Sequence, residues 1–168
     1  VSLDELLAGF DTFAEPLGLK HPGGMVQIPD MASRSAVAGW KKQLEHAQTE
    51  ATALGEPYPT KIKNALNRIS EWSDRIKALL NQCETELADI QESLDGPLPK
   101  TLSNDVVRVW NDLQSQLAKI DQTLPDEQGG TGDTPEATSV DEHLSELNAQ
   151  RRMVKQRADQ WSKRVAEI

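Results

Sequence analysis

Along this chain apolar residues recur at steps of three and four, broken by short runs of proline and glycine, and that alternation predicts helices joined by turns. Residues 2–15 read as a short acidic amphipathic helix. Ser2 followed by Glu5 has the spacing of a capping box, and Leu3, Leu6, Leu7, Phe10 and Phe13 form one stripe before Pro16 and Gly18. His21 to Pro29 holds two prolines and two glycines, too many for a regular element, and reads as a connector. A second helix is expected over about 31–54, with Val37, Trp40, Leu44, Ala47, Ala51 and Leu54 on its seam. After the turn Gly55-Glu56-Pro57-Tyr58-Pro59, a long third helix covers about 60–94. Its seam runs Ile62, Leu66, Ile69, Ser73, Ile76, Leu80, Cys83, Leu87, Ile90, Leu94. Ser103 caps a fourth helix, about 103–124, carrying Val106, Trp110, Leu113, Leu117, Ile120 and Leu124. Residues 125–138 contain almost nothing to bury and read as a flexible acidic loop. Ser139 with Glu142 then opens a last helix, about 139–168.

Stripes sustained over several heptads must be buried against one another, and short connections force neighbours to run in opposite directions. The expected fold is therefore all-α. It consists of an antiparallel helical bundle over 30–168 with coiled-coil-like heptad seams, preceded at 1–29 by the short amphipathic helix and its connector. Two seam positions are polar, Ser73 and Arg151. If the third and last helices are parallel and Ile62 is level with Val140, both fall in one layer. Asp112 of the fourth helix then stands at the same height, and Arg151 is expected to reach Asp112 or Asp74 there, because a buried guanidinium needs an acid. Residues 60–168 loosely resemble a spectrin-type three-helix repeat in length and in carrying tryptophan on the first and third helices (Trp72, Trp161). Trp110 and the long acidic loop depart from that pattern.

Composition narrows the class of function. Of 168 residues, 37% are hydrophobic, 27% charged and only 4% aromatic, which is helix-forming material. The formal charge of −9 opposes a phosphate backbone or an anionic membrane as partner. The local exception is 151–164, where Arg151, Arg152, Lys155, Arg157, Lys163 and Arg164 face a single acid, Asp159. A solvated or salt-bridged face accounts for that cluster more simply than a nucleic-acid footprint. One cysteine, Cys83, allows no internal disulfide and suits a reducing, intracellular, cytoplasmic setting. No apolar run is long enough for a membrane helix, and a first residue of valine suggests a piece of a longer protein.

Chemistry-bearing residues are scattered. None of His21, His46 and His143 has ligands at zinc-like spacing or a glutamate three residues before it, so neither a metal site nor a cofactor is expected. Gly129-Gly130-Thr131-Gly132 lacks the lysine and the following helix of a phosphate loop. Cys83 sits on a seam as a small hydrophobe, and the four tryptophans lie on or beside seams. What remains is recognition. Leu6, Leu7, Phe10 and Phe13 form a large apolar face on a helix set off by a connector, and Trp72 lies one residue off its seam. These five are the candidate partner-binding residues. The expectation is a noncatalytic protein–protein interaction or scaffolding module, not an enzyme. The alternatives are a coiled-coil arm of a DNA-handling ATPase, or a regulatory helical domain of an enzyme whose active site lies elsewhere.

Overall fold

The computed structural model describes residues 2–19, 21–101, 103–125 and 135–167, with side chains of the last segment from 140 onward. All regular structure among them is helical: α1 (Leu3–Ala14), α2 (Met31–Leu54), α3 (Tyr58–Leu94), α4 (Asn104–Thr123) and α5 (Pro135–Glu167), with one 3₁₀ turn at Pro22–Gly24 in the connector. That turn is a correction to a connector without regular structure.

Local chemistry explains most boundaries. The hydroxyls of Ser2 and Ser103 accept from the amides of Glu5 and Val106, and the Asp30 carboxylate accepts from the Ser33 amide, satisfying N–H groups that have no partner within the helix. α1 ends where Gly18 takes φ 72° and the Leu19 amide turns back to the Ala14 carbonyl; α2 ends at Gly55, φ 79°. Two starts differ from expectation. α3 begins at Tyr58, two residues early, with Pro59 in its first turn, where the missing N–H costs nothing. α5 begins at Pro135, so Ser139 lies inside the helix instead of capping it, and the expected loop 125–138 is shorter by its last four residues. Residues 126–134 of that loop lie outside the described residues.

At 37 residues, α3 is about 55 Å long, and the other helices divide its length between them. Along its first half lie α1 and α2. Asp4, Asp11, Leu17 and Met25 meet Tyr58, Arg68, Trp72 and Arg75 in that order, so α1 and the connector ascend alongside α3. Along its second half lie α4 and α5. His143 meets Glu84 and Gln150 meets Gln91, both at a separation of 59 residues, so α5 runs parallel to α3. α4 runs against α5, since Trp110 stacks on Trp161 while Asp121 meets Arg151 and Lys155. Among the described residues no Cα of α2 comes within 8 Å of a Cα of α4. The molecule is thus two groups of three helices sharing α3. Their junction is made by the Ile28 amide on the Thr123 carbonyl (2.8 Å) and by Arg34 of α2 on Asp141 of α5 (3.1 Å).

Sharing α3 this way relocates the seam on its first half. The buried residues there are Ile62, Ala65, Ile69, Trp72 and Ile76, with Leu66 and Ser73 only half-buried. α1 and its connector bury the Ala65–Trp72 side, turning the expected seam residues Leu66 and Ser73 toward the edge. Leu54 is likewise exposed, not part of the α2 seam. Gly9 allows the close approach of α1 to α2, because a Cβ at that position would stand 3.1 Å from Cη2 of Trp40.

Candidate interaction surface

The apolar stripe on α1 is turned inward. Phe10 is 1% exposed, and Leu6, Leu7 and Phe13 are half-buried against the core. Phe10 meets the Trp40 ring edge-on at 5.8 Å and Phe13 stacks on it at 5.6 Å. Trp72, 2% exposed, donates its indole N–H to the Leu17 carbonyl (3.2 Å), which ties the connector to α3. In this conformation Phe10 and Trp72 offer no surface to a partner.

The polar layer is corrected in register. Pairing Ile62 with Val140 requires a separation of 78 residues between α3 and α5, whereas the observed separation is 59. Ser73 and Arg151 therefore lie about 28 Å apart along the axis, at 1.5 Å per residue. Asp112 is exposed and Asp74 lies on the first half of α3, so neither is the partner of Arg151. Arg151, 4% exposed, instead donates to the Leu124 carbonyl (2.8 Å), to Asn148 Oδ1 and to Asp121 (3.3 Å), while Asn148 donates to the Pro125 carbonyl (3.1 Å). The cluster closes the C-terminal end of α4, where carbonyls lack intrahelical donors and a cation is favoured by the helix dipole.

The same device recurs. Arg157 donates to the carbonyls of Leu94 (2.7 Å) and Gly96 (2.8 Å), Trp161 to Leu94 (3.1 Å), and Arg164 to Pro99 (2.8 Å), together holding the α3–α4 connector. Arg34 and Arg75 hold the first connector through the Pro29 and Met25 carbonyls. Of the basic cluster on α5, Arg151, Arg157 and Arg164 are thus bonded to carbonyls of this chain and Lys155 to Asp121 (2.9 Å), leaving Arg152 and Lys163 exposed. No buried side-chain nitrogen or oxygen among the described residues lacks a partner. Sequence reasoning missed Arg34, Asn148 and Asp141, whose roles depend on contacts remote in sequence.

Cys83 is 1% exposed, and burial, with Glu86 adding to it, pushes its thiol up to about 11, which suits packing and not attack. Among the described residues no group of three or more His, Cys, Asp or Glu could hold a metal ion, and no helix is long and apolar enough to cross a membrane.

The described residues also form a concave surface. Between α2 and α3, on the side away from the buried Trp72, runs an open groove of about 310 Å³. Its floor is Leu66 and Ile69, and its rims carry Lys41, Glu45, Asp74 and Lys77. Ser73, expected in a buried polar layer, lies in this groove. The chain matches no protein-family profile, no curated protein and no solved structure.

Proposed function

We propose that this chain is a noncatalytic helical module that binds or scaffolds other polypeptides, as part of a larger intracellular protein. The observation that carries the reading is how its buried and half-buried arginines are used. Arg34, Arg75, Arg151, Arg157 and Arg164 are committed to carbonyls at helix ends and connectors, so the chemistry inside the molecule holds its frame together. A frame built on a 55 Å helix, with its polar faces and an open groove turned outward, is suited to presenting surfaces at fixed separation. The coiled-coil-like seams belong to this reading as the source of its rigidity, and the single buried thiol suits a reducing compartment.

The reading as an arm of a DNA-handling ATPase draws on the basic end of α5. Half of those six cations already serve connector carbonyls, which weakens it. The test is to identify a protein that co-purifies with the chain and to measure binding between the two purified components by calorimetry. Saturable binding at a fixed stoichiometry supports the proposal. Binding to duplex DNA that weakens steeply with salt, with no protein partner, contradicts it.

A further inference from the structure

The connector between α1 and α2 is fastened along its length to the helices around it. Trp72 of α3 donates to its Leu17 carbonyl (3.2 Å), and Arg75 of α3 donates to its Met25 carbonyl (2.9 Å). The Ile28 amide donates to the Thr123 carbonyl at the end of α4 (2.8 Å), and Arg34 of α2 donates through Nη1 to the Pro29 carbonyl (2.6 Å). The other arm of the same guanidinium, Nη2, holds Asp141 of α5 (3.1 Å), with both side chains 9% exposed. One residue thus grips the end of the connector and the carboxylate of a helix 107 positions further along the chain. Between these anchors the connector's own backbone bonds close single turns, Gly24 to His21 and Met25 to Pro22. It buries Leu19, Pro22 and Ile28 and leaves Gly23, Gly24 and Val26 exposed.

We propose that residues 15–29 are a strap that opens and closes as one cooperative unit while the helices stay folded, and that Arg34 makes its closure depend on α5 being seated. A segment with few buried apolar side chains and only single turns of its own opens at a lower free energy than the helices beside it. The unit is the whole strap, because each anchor holds a different stretch. When one is released, the residues up to the next regain their backbone freedom, and that entropy favours release of the neighbouring anchors. The dependence on α5 is geometric. A guanidinium is a planar fork, so an arm fixed on Asp141 aims the other at the Pro29 carbonyl, and loss of the carboxylate weakens that aim. Closure of the strap and seating of α5 strengthen each other equally, as linked equilibria must. Closed, the strap ties α1, α2 and the first half of α3 to α4 and α5; open, it parts the two groups at their junction. This is a property of the frame and does not depend on what the chain binds.

Hydrogen exchange in the full chain tests this at three strap amides, those of Leu19, Met25 and Ile28, which donate to the carbonyls of Ala14, Pro22 and Thr123. In increasing urea the three should converge on one dependence. Its opening free energy and slope should be smaller than those shared by amides in the middle of α3, such as Leu80 and Leu87. Arg75→Met, at a half-buried position, should speed all three by a common factor of at least three. Asp141→Ala should do the same although the residue belongs to α5, and Trp110→Phe, toward the other end of α4, should leave them unchanged. Three separate dependences, or acceleration by Arg75→Met confined to Met25, would overturn the single unit. Convergence of the strap amides with those of α3 would overturn opening short of global unfolding. Acceleration of Ile28 alone by Asp141→Ala, or of none of the three, would overturn the dependence on α5. Should Asp141→Ala fail to fold, Arg34→Lys, which keeps the charge and loses the fork, takes its place with the same expectation.

Discussion

Replacing Arg151 with methionine keeps most of the side-chain volume and removes every donor. Among the groups affected are the Asp121 carboxylate, the Leu124 carbonyl and Asn148 Oδ1, and the structure ranks these three. Asp121 is 41% exposed and keeps Lys155 at 2.9 Å, so its share is that of a surface pair, about 0–1 kcal/mol. The Leu124 carbonyl, at the end of α4, and Asn148 Oδ1 belong to residues almost fully buried, and each loses a charged donor. An acceptor stranded in that way costs about 1–3 kcal/mol. Part of this is returned because a methionine is easier to bury than a guanidinium. The net expectation is a loss of about 2–4 kcal/mol in urea unfolding followed by circular dichroism. Arg151→Lys, with one compact donor group in place of a fork, should lose roughly half as much. Asp121→Asn should cost less than about 1 kcal/mol. The reasoning is refuted if Arg151→Met is as stable as the parent, or if Asp121→Asn is equally costly, since then the ion pair and not the carbonyl would be what the arginine serves.

Three further outcomes follow from the same geometry. Cys83, with its thiol near 11, should be labelled by a maleimide very slowly in native buffer at pH 8 and rapidly in denaturant; fast native labelling would place the middle of α3 at the surface. Tyr58 is the one tyrosine, and its donation to Asp4 (3.1 Å), together with the charge there, raises its pKa. A raised folded-state pKa favours the protonated form, so the contact's contribution is whole below about pH 10, the unfolded value, and is lost as pH rises through the folded one. Tyrosinate absorbance should therefore titrate higher in the native than in the denatured chain, and Asp4→Asn should lower the native midpoint; coincident midpoints would show that the bond is absent. Gly9→Leu, driven into Trp40, should loosen α1 and open residues 15–29 to limited proteolysis, whereas an unchanged digestion pattern would mean that α1 does not rest on α2 there.

How far the fold was legible depends on the range of the interaction. Helices, caps and turns are local. Ser2 and Ser103 cap their helices as expected, Asp30 caps α2, and α5 buries Val140, Leu144, Leu147, Arg151, Val154, Ala158 and Trp161. Register is not local. The apolar pattern of α3 repeats along its whole length, so sliding α5 by several turns matches apolar to apolar equally well. Aligning the polar positions Ser73 and Arg151 presumed that the two interruptions had to share one layer, with Asp112 or Asp74 as the arginine's partner. In fact Arg151 serves a carbonyl on α4, and Ser73 lies in the open groove. A carbonyl acceptor is present at every residue, so no residue type in the sequence marks which one an arginine will reach.

The central claim is that α5 runs beside the second half of α3 at a separation of 59 residues. Cysteine pairs in a Cys83→Ala background, treated with a short bismaleimide, test it most directly. Gln91→Cys with Gln150→Cys should cross-link rapidly within the monomer, and Ser73→Cys with Arg151→Cys, about 28 Å apart along the axis, should not. Efficient cross-linking of the second pair and failure of the first would contradict the register.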